Sequence, residues 1–340
     1  MQRKLKVLQV GCGGMARVWL EVATNDPSLE VIGLVDLRRE AAEKRAADFK
    51  LPPAVVYDTL GAALKAARPD VLFDVTTPES HYGVTMKALA AGCHVLGEKP
   101  MADSMARARK MVQAARKAGR IYAVMQNRRC IPSVVSLVNL LRQGAIGDIT
   151  TANVDFYIGA HFGGFRDAMD HPLLLDMAIH TFDQARQITG ADPVAVYCKE
   201  FNPKGSWYKG DASAACIFEM TGGIIFNYRG SWCSEGFHTP WAGSWRIVGT
   251  RGTALWAEDE PRAQVVAEDA PKFHKPLREV KGEPVELKAT GHAGIIAEFL
   301  EAVRAGGAPQ THCEDNIKSL AMVFAAIKSA RLGRRIKVTL

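Results

Sequence analysis

The sequence predicts a two-part α/β chain. Residues 1–125 read as a doubly wound parallel sheet with helices on both faces, and 126–340 as an α/β domain with an open, largely antiparallel sheet. Three observations carry this. A glycine turn, Gly11-Cys12-Gly13-Gly14-Met15-Ala16, lies between an apolar run and a helical pattern. Short apolar runs then alternate with helical patterns, the mark of parallel strands buried on both faces. After Asn127 the runs switch to apolar–polar alternation joined by glycine turns.

Leu5–Val10 is the first strand and Leu29–Asp36 the second. Between them the turn has the G-x-G-x-x-A spacing of a dinucleotide fingerprint in its proper strand–turn–helix setting, so the first part reads as a Rossmann domain. Gly11 permits the tight turn, Gly13 lets backbone approach a pyrophosphate, and Ala16 lets helix and strand pack closely. The helix N-terminus offers free N–H groups to phosphate. Asp36 stands where an acid meets the adenosine ribose hydroxyls. A 2′-phosphate about 4 Å from that carboxylate would cost about 4 kcal/mol at an effective dielectric of about 20, roughly a thousandfold in affinity. NAD is therefore expected. NADP is the alternative, because Arg38 and Arg39 follow and could neutralise a phosphate.

Further strands are expected at Val55–Tyr57, Val71–Val75, His94–Leu96 and Ile121–Met125, with helices at Arg38–Asp48, His81–Ala91 and Ser104–Ala118 among them. Glu98-Lys99-Pro100 follows the fifth strand, at the carboxyl end where open α/β sheets bind ligands. Pro100 fixes the local turn and aims Lys99. Beside a positive nicotinamide ring, the lysine would lose proton affinity, which suits acid–base work.

The second part begins with a helical pattern, Pro132–Gln143. Strands follow at Ile149–Tyr157, Val194–Phe201, Ala212–Met220, Ile224–Trp232, Trp245–Val248 and Ala254–Ala257, with hairpin turns at Thr221-Gly222-Gly223 and Gly249-Thr250-Arg251-Gly252. Asp259–Glu286 is polar and proline-rich, expected as loop with a weak edge strand. Helices Ala293–Ala305 and Asp315–Arg331, the latter expected to pack back on the first domain, precede a short strand Ile336–Leu340.

Asp176 and His180 are four apart and share one face of a helix. Such a pair could hold a metal, orient the histidine, or bind a polyol. Hydride transfer needs a base for the hydroxyl proton, and a neutral histidine serves without metal. Catalysis is the reading adopted and no metal site is assigned, although His171 is near in sequence. Tyr157, His161 and Arg166 could line a cleft, as could the aromatic group Trp232, His238 and Trp241, whose flat faces suit sugar C–H surfaces.

Composition sets bounds. Lys and Arg number 43 against 36 Asp and Glu, a net charge of +7 spread along the chain, which favours anionic small ligands and argues against nucleic acid. Seven cysteines lack C-x-x-C spacing, so neither a zinc ribbon nor a disulfide framework is expected. No leader pattern and no membrane-length apolar run is seen, and free thiols fit a reducing compartment. A cytoplasmic protein is expected.

These motifs together resemble the Gfo/Idh/MocA oxidoreductases over nearly the whole chain. The likeness rests on the Gly11–Ala16 turn, Thr77-Pro78 with His81, the run from Ala91 to Pro100 with its Glu-Lys-Pro end, Asp176-x-x-x-His180, and the Gly249–Thr253 turn. It implies NAD(P)-dependent oxidation of a sugar, sugar-acid or cyclitol hydroxyl, a catalytic Lys99 often before a cis proline, Asp176 and His180 as substrate-binding acid and catalytic histidine, and Gln126-Asn127-Arg128 near the cofactor. Residues expected at the cofactor are Gly11, Gly13, Gly14, Met15, Ala16, Asp36, Arg38, Thr76, Thr77, Pro78, His81, Glu98, Lys99 and Gln126. Those expected at the substrate are Lys99, Tyr157, Arg166, Asp176 and His180. Many relatives carry glycine where Ala178 stands and a glycine-rich run where Asp170–Leu175 lies, so the substrate wall here differs. The family's open sheet implies a homodimer or homotetramer. Two other readings share the same residues: an NAD-dependent glycoside hydrolase or lyase working through transient oxidation, and a catalytically silent NAD-sensing regulator. Intact Lys99, Asp176 and His180 argue against the last.

Overall fold

A computed structural model describes residues 3–269 and 273–340. The chain divides into two compact units, one of Met1–Asn127 with Ala289–Ile317, the other of Arg128–Lys288 with Lys318–Leu340. The division is not a single cut. Ala289–Ile317, read from sequence as part of the second domain, groups with the first.

The first unit alternates strand and helix: β1 (Leu5–Val10), α1 (Ala16–Asn25), β2 (Leu29–Val35), α2 (Arg39–Asp48), β3 (Val56–Tyr57), α3 (Leu60–Ala67), β4 (Val71–Asp74), α4 (Pro78–Ala90), β5 (His94–Gly97), α5 (Met105–Ala118) and β6 (Tyr122–Val124). All six strands pair in parallel in the order β3-β2-β1-β4-β5-β6. Helix starts obey local chemistry. Ser104 caps α5 by accepting the Arg107 N–H, and Pro78 opens α4 where no amide partner is needed. Val7, Leu8, Leu72, Phe73, Val95 and Leu96 are fully buried, which explains the continuous apolar runs.

The second unit opens with α6 (Pro132–Arg142) and β7 (Ile149–Tyr157). A π-helical run, Pro172–Ala178, leads into α7 (Ile179–Thr189). Then come β8 (Pro193–Phe201), β9 (Ser213–Met220), β10 (Ile225–Ser231), β11 (Ser244–Gly249), β12 (Gly252–Trp256), β13 (Arg262–Val266) and β14 (Leu277–Lys281). The helix α8 (Gly291–Ala305) belongs to the first unit, packing on α1 and β5, and Arg304 donates to Ser28 Oγ there (2.6 Å). Last come α9 (Cys313–Leu332), counted with the first unit as far as Ile317, and β15 (Ile336–Lys337).

Nine strands form the second sheet in the order β14-β13-β12-β11-β7-β10-β9-β8-β15. Every pair is antiparallel except β7 with β10. Both glycine turns close hairpins as expected, joining β9 to β10 and β11 to β12. One face carries the buried residues Ala152, Val154, Phe156, Phe226 and Tyr228 against α7 and the π-helical run. The other is open, with Asn153–Asn227 and Asp155–Arg229 bonded across β7 and β10.

Asp259–Glu286 differs from expectation. It holds two paired strands rather than one weak one, and residues 270–272 of it lie outside the described residues. Ala263 and Val265 are buried at alternate positions of β13, while β14 is a charged, mostly exposed edge strand, so its polarity conceals it in the sequence.

Candidate active site

In the first unit the glycine turn is shaped by contacts a side chain would abolish. Gly11 has φ +93°, and a Cβ there would lie 2.3 Å from the Val75 carbonyl oxygen. At Gly13 and Gly14 a Cβ would meet nothing within 4 Å, so the turn leaves open space on that side. Asp36 is half-buried at the end of β2. Its Oδ2 accepts the Cys12 N–H (2.8 Å) and its Oδ1 the Arg38 N–H (2.9 Å), which fixes the carboxylate beside the turn. Arg38 is exposed, and Arg39 pairs with Glu43 and Asp58. Met15 is exposed ahead of α1, and Ala16 is buried against the strand. Burial, reinforced by Asp36, pushes the Cys12 thiol up to about 12, so it packs and does not react.

Two residues supporting this turn escaped the sequence reading. Gln9, fully buried, donates through Nε2 to the Gly11 carbonyl at 3.2 Å. Arg45 donates to the Gly13 carbonyl at 3.0 Å. A glutamine inside the otherwise apolar Leu5–Val10 run was the available signal for the first.

At the end of β4, fully buried Asp74 organises the next loop. Its Oδ1 accepts the Thr76 hydroxyl (2.6 Å) and lies 3.1 Å from His81 Nδ1, while its Oδ2 accepts the Thr85 hydroxyl (3.3 Å). Burial works against charge on His81, yet Asp74, with Glu98 and Glu79 beyond it, raises its pKa. His81 is thus turned inward and shapes the Thr76–Pro78 loop from beneath. Thr77 stands exposed before α4, and Pro78 is half-buried at its first position.

Glu98 follows β5. Its Oε1 accepts the Trp19 indole N–H at 2.9 Å and lies 3.7 Å from His292 Nε2, and its Oε2 accepts the Lys99 N–H at 3.2 Å. Burial alone would lift the Glu98 carboxyl. His292, the Lys99 ammonium and Trp19 outweigh it and hold the group ionised below the usual carboxylate value. Lys99 is half-buried, and the Lys99–Pro100 peptide is cis. Gln126 is buried, with neither side-chain polar atom bonded among the described residues.

In the second unit, Asp176 lies in the π-helical run and His180 in the first turn of α7. The expected single α-helix is therefore widened under Asp176. Bulges of this kind recur at functional sites. Asp176 is buried, and its Oδ2 accepts Arg166 Nε–H at 2.7 Å; His180 is half-buried. The Arg166 guanidinium also stands 5.1 Å from the Phe162 ring and 4.7 Å from the Phe165 ring. Two expected substrate residues, Arg166 and Asp176, are thus joined.

Tyr157 is not with them. Its neighbour Phe156 points to the helix-covered face, so Tyr157 points to the open one, where partial burial and then Asp155 raise its pKa against the opposing charge of Arg229. Trp232 and Trp241 do gather, in a T-shaped contact at 6.1 Å, with Phe162 stacked on Trp232 at 5.9 Å. His238 Nε2 accepts the Gly159 N–H (3.3 Å), and His161 stacks on Trp207 and pairs with Glu235. Arg128 is buried against Met177, and burial pulls its pKa down to about 9.

Comparison with known proteins places both units. A family model described as "Oxidoreductase family, NAD-binding Rossmann fold" matches residues 5–126, and one described as "GFO/IDH/MocA C-terminal domain" matches 134–255. The chain is 30% identical to an uncharacterised protein of Sinorhizobium fredii over 98% of this chain and 95% of that one. It is 27% identical to D-apiose dehydrogenase of Paraburkholderia graminis over 99% and 90%. An Agrobacterium radiobacter oxidoreductase, solved with NAD+, L-tartaric acid and magnesium, shares the fold with a TM-score of 0.87 at 22% identity, covering 98% of each chain. The open space over Gly13 and Gly14 and the anchored Asp36 fit a dinucleotide's pyrophosphate and ribose.

Proposed function

The chain belongs to the GFO/IDH/MocA oxidoreductase family and binds NAD through its Rossmann domain, and from that premise we propose that it oxidises a hydroxyl of a sugar, sugar acid or cyclitol. NAD, when bound, supplies the hydride acceptor. His180 takes the hydroxyl proton, and Lys99 polarises the oxygen and shares in proton transfer. Asp176, its charge balanced by Arg166, accepts hydrogen bonds from substrate hydroxyls.

The observation that carries this reading is the Glu98–Lys99 step. An ionised, half-buried Glu98 carboxylate is held by Trp19, His292 and the Lys99 amide, and the Lys99 ammonium helps to hold its charge. Both sit at the carboxyl end of β5, where open α/β sheets bind ligands. A carboxylate tied down this way orients the chain that carries the lysine.

The relatives' names, D-apiose dehydrogenase among them, favour a carbohydrate. The open face of the second sheet, with Tyr197, Phe201 and Ile217 exposed, favours a homodimer or homotetramer. No helix among the described residues is long and apolar enough to cross a membrane.

The test is a sugar and cyclitol panel scored for NAD and NADP reduction, with Lys99→Ala alongside. The expected result is NADH formation with at least one polyol. Turnover should fall about 10²–10⁴-fold in the variant while NAD binding is retained. Unchanged turnover removes Lys99 from the mechanism. Glycoside cleavage without net NADH replaces oxidation by redox-assisted bond cleavage, and tight NAD binding with no turnover across the panel replaces it by sensing.

A further inference from the structure

A second polar cluster lies in the second unit, at the start of the π-helical run. His171 Nδ1 stands 2.7 Å from Glu200 Oε2, and one ligand atom each from His171, Glu200 and Asp211 lie within 4.8 Å of one another. Glu200 is on β8 in register with Ala214 of β9, at an inward position; its side chain is 1% exposed. Its second oxygen, Oε1, is buried with no hydrogen-bond partner. Neither Glu200 nor Asp211 pairs with a lysine or arginine among the described residues; Lys209 reaches Asp170 instead.

Backbone contacts hold the three groups in place. The Asp211 N–H donates to the Asp170 carbonyl (3.0 Å) and the Lys209 N–H to the Asp167 carbonyl (2.8 Å), pressing the 209–211 segment against the residue next to His171. A Cβ on Gly210 would lie 2.1 Å from the Asp170 carbonyl oxygen, so only glycine allows this approach. Two carboxylates therefore face one imidazole, and a buried oxygen has unspent accepting capacity. An orphaned carboxylate oxygen in a dry site is costly unless a cation or donor reaches it.

We propose that His171, Glu200 and Asp211 bind one divalent transition-metal ion, with zinc as the type, through the imidazole Nδ1 and one oxygen of each carboxylate. A nitrogen with two carboxylates suits zinc or its neighbours better than magnesium, which favours an all-oxygen octahedron. Ligand bonds of about 2.0–2.2 Å at tetrahedral angles separate donors by about 3.3–3.6 Å. The 2.7 Å His171–Glu200 contact need open by about 0.6–0.9 Å. Half-buried His171 and Asp211 leave room for a water as fourth ligand. The ion would be structural. His171 immediately precedes the π-helical run that carries Asp176, so the metal would pin the start of that run.

The test uses the full-length protein freed of metal by chelator, titrated with Zn2+, Co2+ and Mg2+ by calorimetry and thermal melting. One Zn2+ per chain and a melting temperature higher by about 5 °C at saturation are expected. Cobalt should give the intense visible absorption of a tetrahedral site. Glu200→Gln and Asp211→Asn should each abolish these effects, and half-buried Asp211 keeps the test decisive should the Glu200 variant fold poorly. Absence of saturable zinc binding overturns the proposal. So does binding that survives unchanged in Asp211→Asn, or saturation by Mg2+ but not Zn2+.

Discussion

Two alanine substitutions two residues apart should separate folding from cofactor binding. At Gly11 the backbone is left-handed, φ +93°, and a methyl group would sit 2.3 Å from the Val75 carbonyl oxygen. That carbonyl cannot retreat easily, because the Val75 N–H is bonded to the Val10 carbonyl at 2.8 Å. Strain of about 1–3 kcal/mol from the dihedral adds to an overpacking cost of about 1–3 kcal/mol. Gly11→Ala should therefore melt at least about 5 °C lower and bind NAD poorly. Gly13 has no such neighbour and no positive φ, so Gly13→Ala should keep its stability within about 0.5 kcal/mol. Its methyl group would nonetheless fill the space where a pyrophosphate approaches the amides. Losing one charge-assisted N–H bond of about 1.5–3 kcal/mol weakens binding at least about tenfold. Thermal melts with fluorescence titration of NAD read both quantities. Wild-type NAD affinity in a correctly folded Gly13→Ala protein would refute the placement of the phosphate over this turn.

Asp36→Ser should relax cofactor choice, raising NADP affinity by a hundredfold or more on the estimate of about 4 kcal/mol for a carboxylate facing a phosphate; parallel titration with both nucleotides measures it. Arg129→Ala should destabilise the protein by about 3–5 kcal/mol, because it strips a two-pronged ion pair (2.6 and 2.8 Å) from Asp183, whose side chain is 1% exposed; a denaturant midpoint unmoved from wild type would contradict it. His81 holds its proton more tightly folded than unfolded. Its contribution is complete below about 6.5 and is lost as pH rises through the higher folded value. Melting curves above pH 6.5 should accordingly fall less steeply for His81→Gln than for wild type.

Most of the first unit was readable because its signals are local. A fingerprint, a strand end and a proline turn each announce themselves within a few residues, and parallel strands buried on both faces stand out as apolar runs. What stayed hidden depends on pairing across the sequence. Asp74 is one acid at the end of Val71-Leu72-Phe73-Asp74, and only the fold shows it bonded to Thr76, Thr85 and His81 at once. Glu200 and Asp211 meet His171 through the position of Glu200 on β8 and the backbone bonds of the 209–211 segment to Asp167 and Asp170, which no spacing rule encodes. Tyr157 is different. Its face follows from counting outward from buried Phe156, so alternation alone would have set it on the open side. The charges of β14 hid a strand because an edge is protected by residues that also mark loops.

The anchoring of α7 bears on how His180 is held. Asp183, one turn after His180, accepts from Arg129 Nε and Nη2 and from the Ser319 hydroxyl at 2.7 Å. Arg186, a further turn along, donates to Ser319 Oγ (3.0 Å) and Asp192 Oδ1 (3.1 Å). Phe182 packs edge-on against Phe218 and Tyr228 of the sheet. A helix bound by a closed polar network on one side and aromatic edges on the other has little freedom to rotate. On the proposed reading, adjustment to a substrate would be left to the wider π-helical turn before it and to the Arg166 side chain reaching Asp176. In the proposed reaction, rigidity would therefore fall on the imidazole, because the proton transfer assigned to it tolerates least misplacement. Compliance would fall on Asp176, the acid proposed to meet differently placed hydroxyls.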